Sequence, residues 1–124
     1  MNSKRPVNLD LATLKFPTMA ITSILHRISG VIMFLLLPVM MYFLTLSLQS
    51  LDSFDHLQGM LLKPYCKLLL WVFSVALVYH ILAGIRHVFM DFGIGEKLVS
   101  AQRSAFIVII VTVILTIALG VWIW

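Results

Sequence analysis

Three stretches of this 124-residue chain, Ile28 to Leu51, Leu68 to Ile85 and Ser104 to Trp124, carry no Asp, Glu, Lys or Arg. Each is near the ~20 residues that a helix needs to cross a bilayer. Lipid offers the backbone no hydrogen-bond partner, so a span of this kind must be helical or part of a closed barrel. With 61% of its residues hydrophobic and 11% charged, the chain could not hide its apolar surface as a soluble domain. The expectation is an all-α integral membrane protein with one domain over residues 1–124. A cytoplasmic arm covers residues 1–22, and transmembrane helices cover about 23–50, 65–90 and 104–124.

The arm does not read as a signal peptide, since Asp10 and Lys15 interrupt it and Pro6 and Pro17 break it. Basic residues set the orientation. Lys4, Arg5, Lys15 and Arg27 precede the first span, and Arg86, Lys97 and Arg103 lie between the second and third. Only Lys63 and Lys67 fall on the other side, beside Asp52 and Asp55. The positive-inside rule then puts the N-terminus and the second loop in the cytoplasm, and the net charge of +4 is a topology signal. Leu51 to Leu62 reads as an outer loop, and an inner loop runs from about Asp91 through Gly93 and Gly95 to Gln102. Pro38 is expected to bend the first span. Cys66, the single cysteine, reads as a small apolar residue and excludes an intrachain disulfide.

Two polar stripes interrupt the apolar pattern. Ser23, Arg27 and Gly30 share a helix face, with His26 about 60° to the side. His80, Gly84, His87 and Asp91, at spacings of four, three and four, fall within about 60° of arc on the second span. His80 lies roughly 9 Å inside the Arg86 boundary, so it is neutral or bound to something. Ala76 and Gly84, one turn either side, leave a flat slot that suits a porphyrin whose iron takes the imidazole nitrogen. A histidine hydrogen-bonded to a neighbouring helix, with small residues for close packing, fits the same spacing. His26, Arg27 and Arg86 sit where haem propionates would need cations, or where the positive-inside rule alone would put them. His87 is as well explained as a solvated residue. His26 is placed at the edge and His80 well inside, so one porphyrin is not expected to meet both. A six-coordinate haem would draw its second ligand from another chain, which makes this chain half of a site.

These residues resemble a family: the cytochrome b subunit, the larger membrane anchor, of bacterial succinate dehydrogenase (succinate:quinone oxidoreductase). The likeness rests on Arg5-Pro-Val-Asn-Leu-Asp-Leu11, on Ser23-Ile-Leu-His-Arg-Ile-Ser-Gly30, on Tyr79-His80 and Gly84-Ile-Arg-His87, and on Asp91-Phe-Gly93. It implies that His80 is an axial ligand of a haem b shared with a second, smaller anchor subunit, whose histidine completes the iron. It implies that Ser23 and Arg27 line a ubiquinone site beside the iron–sulfur subunit, and that His26 and Arg27 reach the haem propionates. It also implies a flavoprotein subunit, in which succinate is oxidised, and a place in the bacterial inner membrane.

Rival classes are weighed on the same residues. A proton-coupled multidrug transporter needs a carboxylate deep in a span, and none of the three spans contains one. A haem-less structural anchor would place no requirement on His80. The anchor of a related fumarate reductase, running the reverse reaction, would share every feature read here.

Overall fold

The computed structural model describes residues 17–124. They form four helices and no strand: α1 (Thr18–Gln49), α2 (Leu51–Leu61), α3 (Pro64–Asp91) and α4 (Leu98–Ile123). Helices α1, α3 and α4 are long and apolar enough to cross a membrane. Their 32, 28 and 26 residues span ~48, 42 and 39 Å, more than the ~30 Å of hydrocarbon, so their ends reach the headgroup level. The arm motif Arg5 to Leu11 lies outside the described residues.

One segment read as a loop is helical, and two helices start earlier than read. The outer segment is α2, and the reason is its start. Ser50 Oγ accepts the Ser53 backbone N–H at 3.1 Å, while Ser53 Oγ accepts the Ser50 N–H at 3.0 Å. This reciprocal capping box satisfies donors that a helix start otherwise leaves unpaired. Leu57 of α2 then packs with Phe43 of α1 and Cys66 of α3, all three buried, as the reading of Cys66 as an apolar residue expects.

At the other end α4 begins at Leu98, inside the segment read as inner loop, and α1 begins at Thr18, within the residues read as arm. Pro17 precedes the first helical residue, where a fixed φ near −65° suits a helix start. The α3–α4 turn is made by a Schellman closure: Ile94 N–H donates to Phe89 O and Gly93 N–H to Met90 O, both at 2.9 Å. Gly93 sits at φ 79°, a conformation that costs a side-chain-bearing residue ~1–2 kcal/mol.

Helix α3 is central, packing against both α1 and α4, which also touch each other. Small residues make both seams close. On the α4 side Ala83 and Ala105 are completely buried, with Ala101, Tyr79 and Val108 beside them. Without a hydrophobic drive between helices in lipid, such close approach supplies the packing energy. Trp71 Nε1–H donates to Thr116 O at 3.1 Å and ties the far end of the same seam. Thr112 bonds back to Val108 O at 2.8 Å, within its own helix. Most of the remaining apolar side chains, such as Phe34, Leu35, Ile114 and Ile117, are exposed and face outward.

The seam makes a stability prediction. Ala83→Leu forces three extra carbons into a position with no free surface, at a cost of roughly 1–3 kcal/mol. The midpoint of thermal dissociation of the purified membrane complex should fall by several degrees, and an unchanged midpoint would refute the seam.

Candidate functional site

The residues singled out in sequence meet where α1 and α3 cross near their shared end. The register is antiparallel and reciprocal. A Cβ added at Gly30 would lie 3.2 Å from His80 Cε1, and one added at Gly84 would lie 3.4 Å from His26 Nε2. Each imidazole therefore lies over the glycine of the opposite helix. The His26 and His80 rings stack, centroids 4.1 Å apart and planes 14° from parallel, and His87 lies tilted against His26 at 5.3 Å.

This corrects two expectations. His26 and His80 are not out of each other's reach: the antiparallel register brings position 26 level with position 84, one turn from His80, and the two rings touch. For the same reason the flat slot beside Gly84 is filled by the His26 ring. The pattern was present in the chain as a repeated spacing, His26-x-x-x-Gly30 on one helix and His80-x-x-x-Gly84 on the other.

His80 is held through one nitrogen. Its Nδ1 lies 3.2 Å from the His26 carbonyl oxygen and 3.0 Å from Ser29 Oγ, and Ser29 itself donates to the His26 oxygen at 2.7 Å. A carbonyl only accepts, and a hydroxyl whose proton is committed to it can still accept. Both partners therefore favour the proton on Nδ1, which leaves the Nε2 lone pair for a metal. A donor on one nitrogen and a free lone pair on the other is the usual arrangement of a metal-bound histidine. These residues fit a haem, which brings four nitrogen ligands of its own and asks the protein for one imidazole on a side. Among the described residues no three His, Cys, Asp or Glu side chains converge to hold a bare ion.

Ser29 was not singled out as a site residue, though it is buried and sits three residues after His26, where its hydroxyl reaches back to the i−3 carbonyl. Tyr79 was quoted in a motif without a role. Its hydroxyl donates to Thr22 O at 2.8 Å and fixes the α1–α3 crossing just before His80. Ser23 is half-buried and Arg27 exposed, one turn apart on α1, adjoining the imidazole cluster along the chain. Asp91, grouped with the second stripe, is exposed at the α3 terminus.

Arg86 takes the structural alternative. It projects about 120° around α3 from His80, towards α4. There Nε–H donates to Ser104 Oγ and an Nη2–H to Ala101 O, both at 3.0 Å. It is therefore not a cation facing the imidazoles.

Three membrane-crossing helices, with stacked imidazoles and an adjoining Ser–Arg pair at one end, define a class: a multi-pass helical membrane protein with a polar cluster at one end of its bundle. The comparisons make that class specific. Residues 1–119 match the family model described as succinate dehydrogenase/fumarate reductase transmembrane subunit. The chain is 47% identical over its full length to the succinate dehydrogenase cytochrome b556 subunit of Coxiella burnetii, also covered completely. It is 34% identical to the protein of the same name from Rickettsia typhi, covering 96% of this chain and 93% of that one. The corresponding protein of Paracoccus denitrificans is 30% identical over 91% of this chain and 87% of its own. This chain belongs to the succinate dehydrogenase/fumarate reductase transmembrane subunit family.

Proposed function

We propose that this chain is the haem b-binding membrane anchor of a succinate:quinone oxidoreductase, with no catalytic activity of its own, and that it forms part of the site where quinone is reduced. The observation that carries this is His80, whose Nδ1 is engaged by a carbonyl and a hydroxyl so that Nε2 is left to bind iron. Family membership supplies the cofactor class, since the relatives are named as cytochromes b556. When bound, haem b supplies a one-electron store beside the quinone site. A histidine of a smaller anchor subunit would hold the haem together with His80, which would make this chain half of a shared site.

His80 would hold the iron, and Ser29 with the His26 carbonyl would fix its ring orientation and tautomer. His26 and Arg27 would meet the propionates. Ser23 would donate its hydroxyl proton to a quinone carbonyl oxygen. Arg27 keeps its charge throughout and would stabilise the negative charge that builds on that oxygen as electrons arrive. Electrons reach this end of the bundle from a flavoprotein through an iron–sulfur subunit, and ubiquinone enters laterally from the bilayer. The excess of Lys and Arg at the end holding the α3–α4 turn supports a cytoplasmic N-terminus, in a bacterial inner membrane.

The test is co-purification of the polypeptide with its partner subunits, followed by a reduced-minus-oxidised spectrum. A b-type Soret and α band in stoichiometry with the chain is expected. A colourless intact complex would instead establish a haem-less anchor. Because the matching family model also covers fumarate reductases, the same complex should be assayed for succinate oxidation with quinone and for fumarate reduction with quinol.

A further inference from the structure

Arg86 is only 7% exposed and lies within a membrane-spanning helix, yet its two hydrogen bonds go to neutral oxygens, Ser104 Oγ and Ala101 O. Neither bond neutralises the charge. Among the described residues no carboxylate pairs with it. A buried cation left so is costly in a low-dielectric setting, and near lipid the cost is kept where it serves binding. Beside Arg86, between α3 and α4, lies a groove of about 460 Å³, open to the outside. Leu82, Ile85 and Phe89 form its α3 wall, Ile107 and Val108 its α4 wall, and Ser100 and Ser104 add hydroxyls at the end nearest the turn. The groove thus has one cationic, hydroxyl-bearing end at the membrane boundary and apolar walls running into the span.

We infer that this groove binds an anionic phospholipid, its phosphate on Arg86 and the Ser100 hydroxyl and one acyl chain along the apolar walls, while Ser104, whose own proton goes to Ala101 O, holds the guanidinium in place. The geometry matches the two parts of such a molecule in the order a bilayer presents them. The size lies in the ordinary range of ligand sites, roughly 300–1,000 Å³. Basic pockets between helices recruit anionic headgroups by the same attraction. The inference stands apart from the haem and quinone reading, because the groove is on the opposite side of α3 from the α1 contact that holds the His26–His80 pair.

The experiment uses the intact complex, purified in mild detergent, stripped of loosely held lipid and titrated with phosphatidylglycerol or phosphatidylcholine. Bound lipid is counted by native mass spectrometry. Phosphatidylglycerol should be retained in preference to phosphatidylcholine, and Arg86→Gln should weaken that retention at least about fivefold. Arg86 also braces the α3–α4 turn, so a second variant, Ile107→Trp, fills the groove while leaving the guanidinium in place, and should reduce retention likewise. Wild-type retention of phosphatidylglycerol in Ile107→Trp would overturn the inference. So would equal retention of the two lipids, or binding of inorganic phosphate that phosphatidylglycerol does not displace. A groove sealed under the second anchor chain, shown by a disulfide between a cysteine at position 107 and that chain with no lipid retained, would overturn it as well.

Discussion

His80→Leu should abolish or grossly alter the haem absorbance of the assembled complex, whereas flavin-level succinate oxidation with an artificial acceptor persists. Leucine preserves the volume and apolar character of the site but supplies no lone pair to iron. An unchanged spectrum would refute the ligand assignment. The substitution also removes the bonds that Nδ1 makes to the His26 carbonyl and to Ser29, so a second variant separates ligation from packing. Ser29→Ala keeps the imidazole and removes only the hydroxyl that orients it. Loss of an outer partner of a metal-bound histidine costs about 10–100-fold in affinity. Ser29→Ala should therefore retain a b-type band that bleaches more readily when the complex is diluted or challenged with a haem-binding competitor. Identical behaviour of Ser29→Ala and wild type would leave orientation to the carbonyl alone.

The parts of this molecule that were legible in sequence are those governed by one helix at a time. Three charge-free stretches announce three spans, because each must meet the hydrocarbon independently. The apolar character of Cys66 is local in the same sense. What was less legible depends on two residues agreeing. The start of α2 needs Ser50 and Ser53 to cap one another, a signal weakened because serine stands where glutamate or glutamine more often does. The depth of His26 relative to His80 depends on the antiparallel register, and no single-helix spacing contains that. The paired His-x-x-x-Gly motifs encode it only once α1 and α3 are known to be neighbours. The same holds for Arg86. A boundary cation and a brace between helices look alike until Ser104 and Ala101 are seen opposite it.

Arg27→Leu should depress quinone reduction about 100–1,000-fold, the scale on which loss of one well-placed donor to a developing oxyanion is felt. Electron transfer from succinate to an artificial acceptor at the flavin should change little, because that step does not involve the membrane end. The distinction matters because Arg27 stands beside His26, so its removal could also disturb a propionate contact. A measurement of haem content in the same preparation resolves this: quinone reduction should fall further than the haem band. Arg27→Lys sharpens the test. It keeps the positive charge but loses the planar fork of donors, so partial activity is expected if charge dominates and little recovery if geometry does. Ser23→Ala, one turn away, should raise the quinone KM more than it lowers kcat, since a hydroxyl bonded to the ground-state carbonyl contributes mainly to binding. Equal losses with both acceptors in Arg27→Leu would move this guanidinium from the quinone site to assembly of the complex, and Ser23 would lose its assigned neighbour with it.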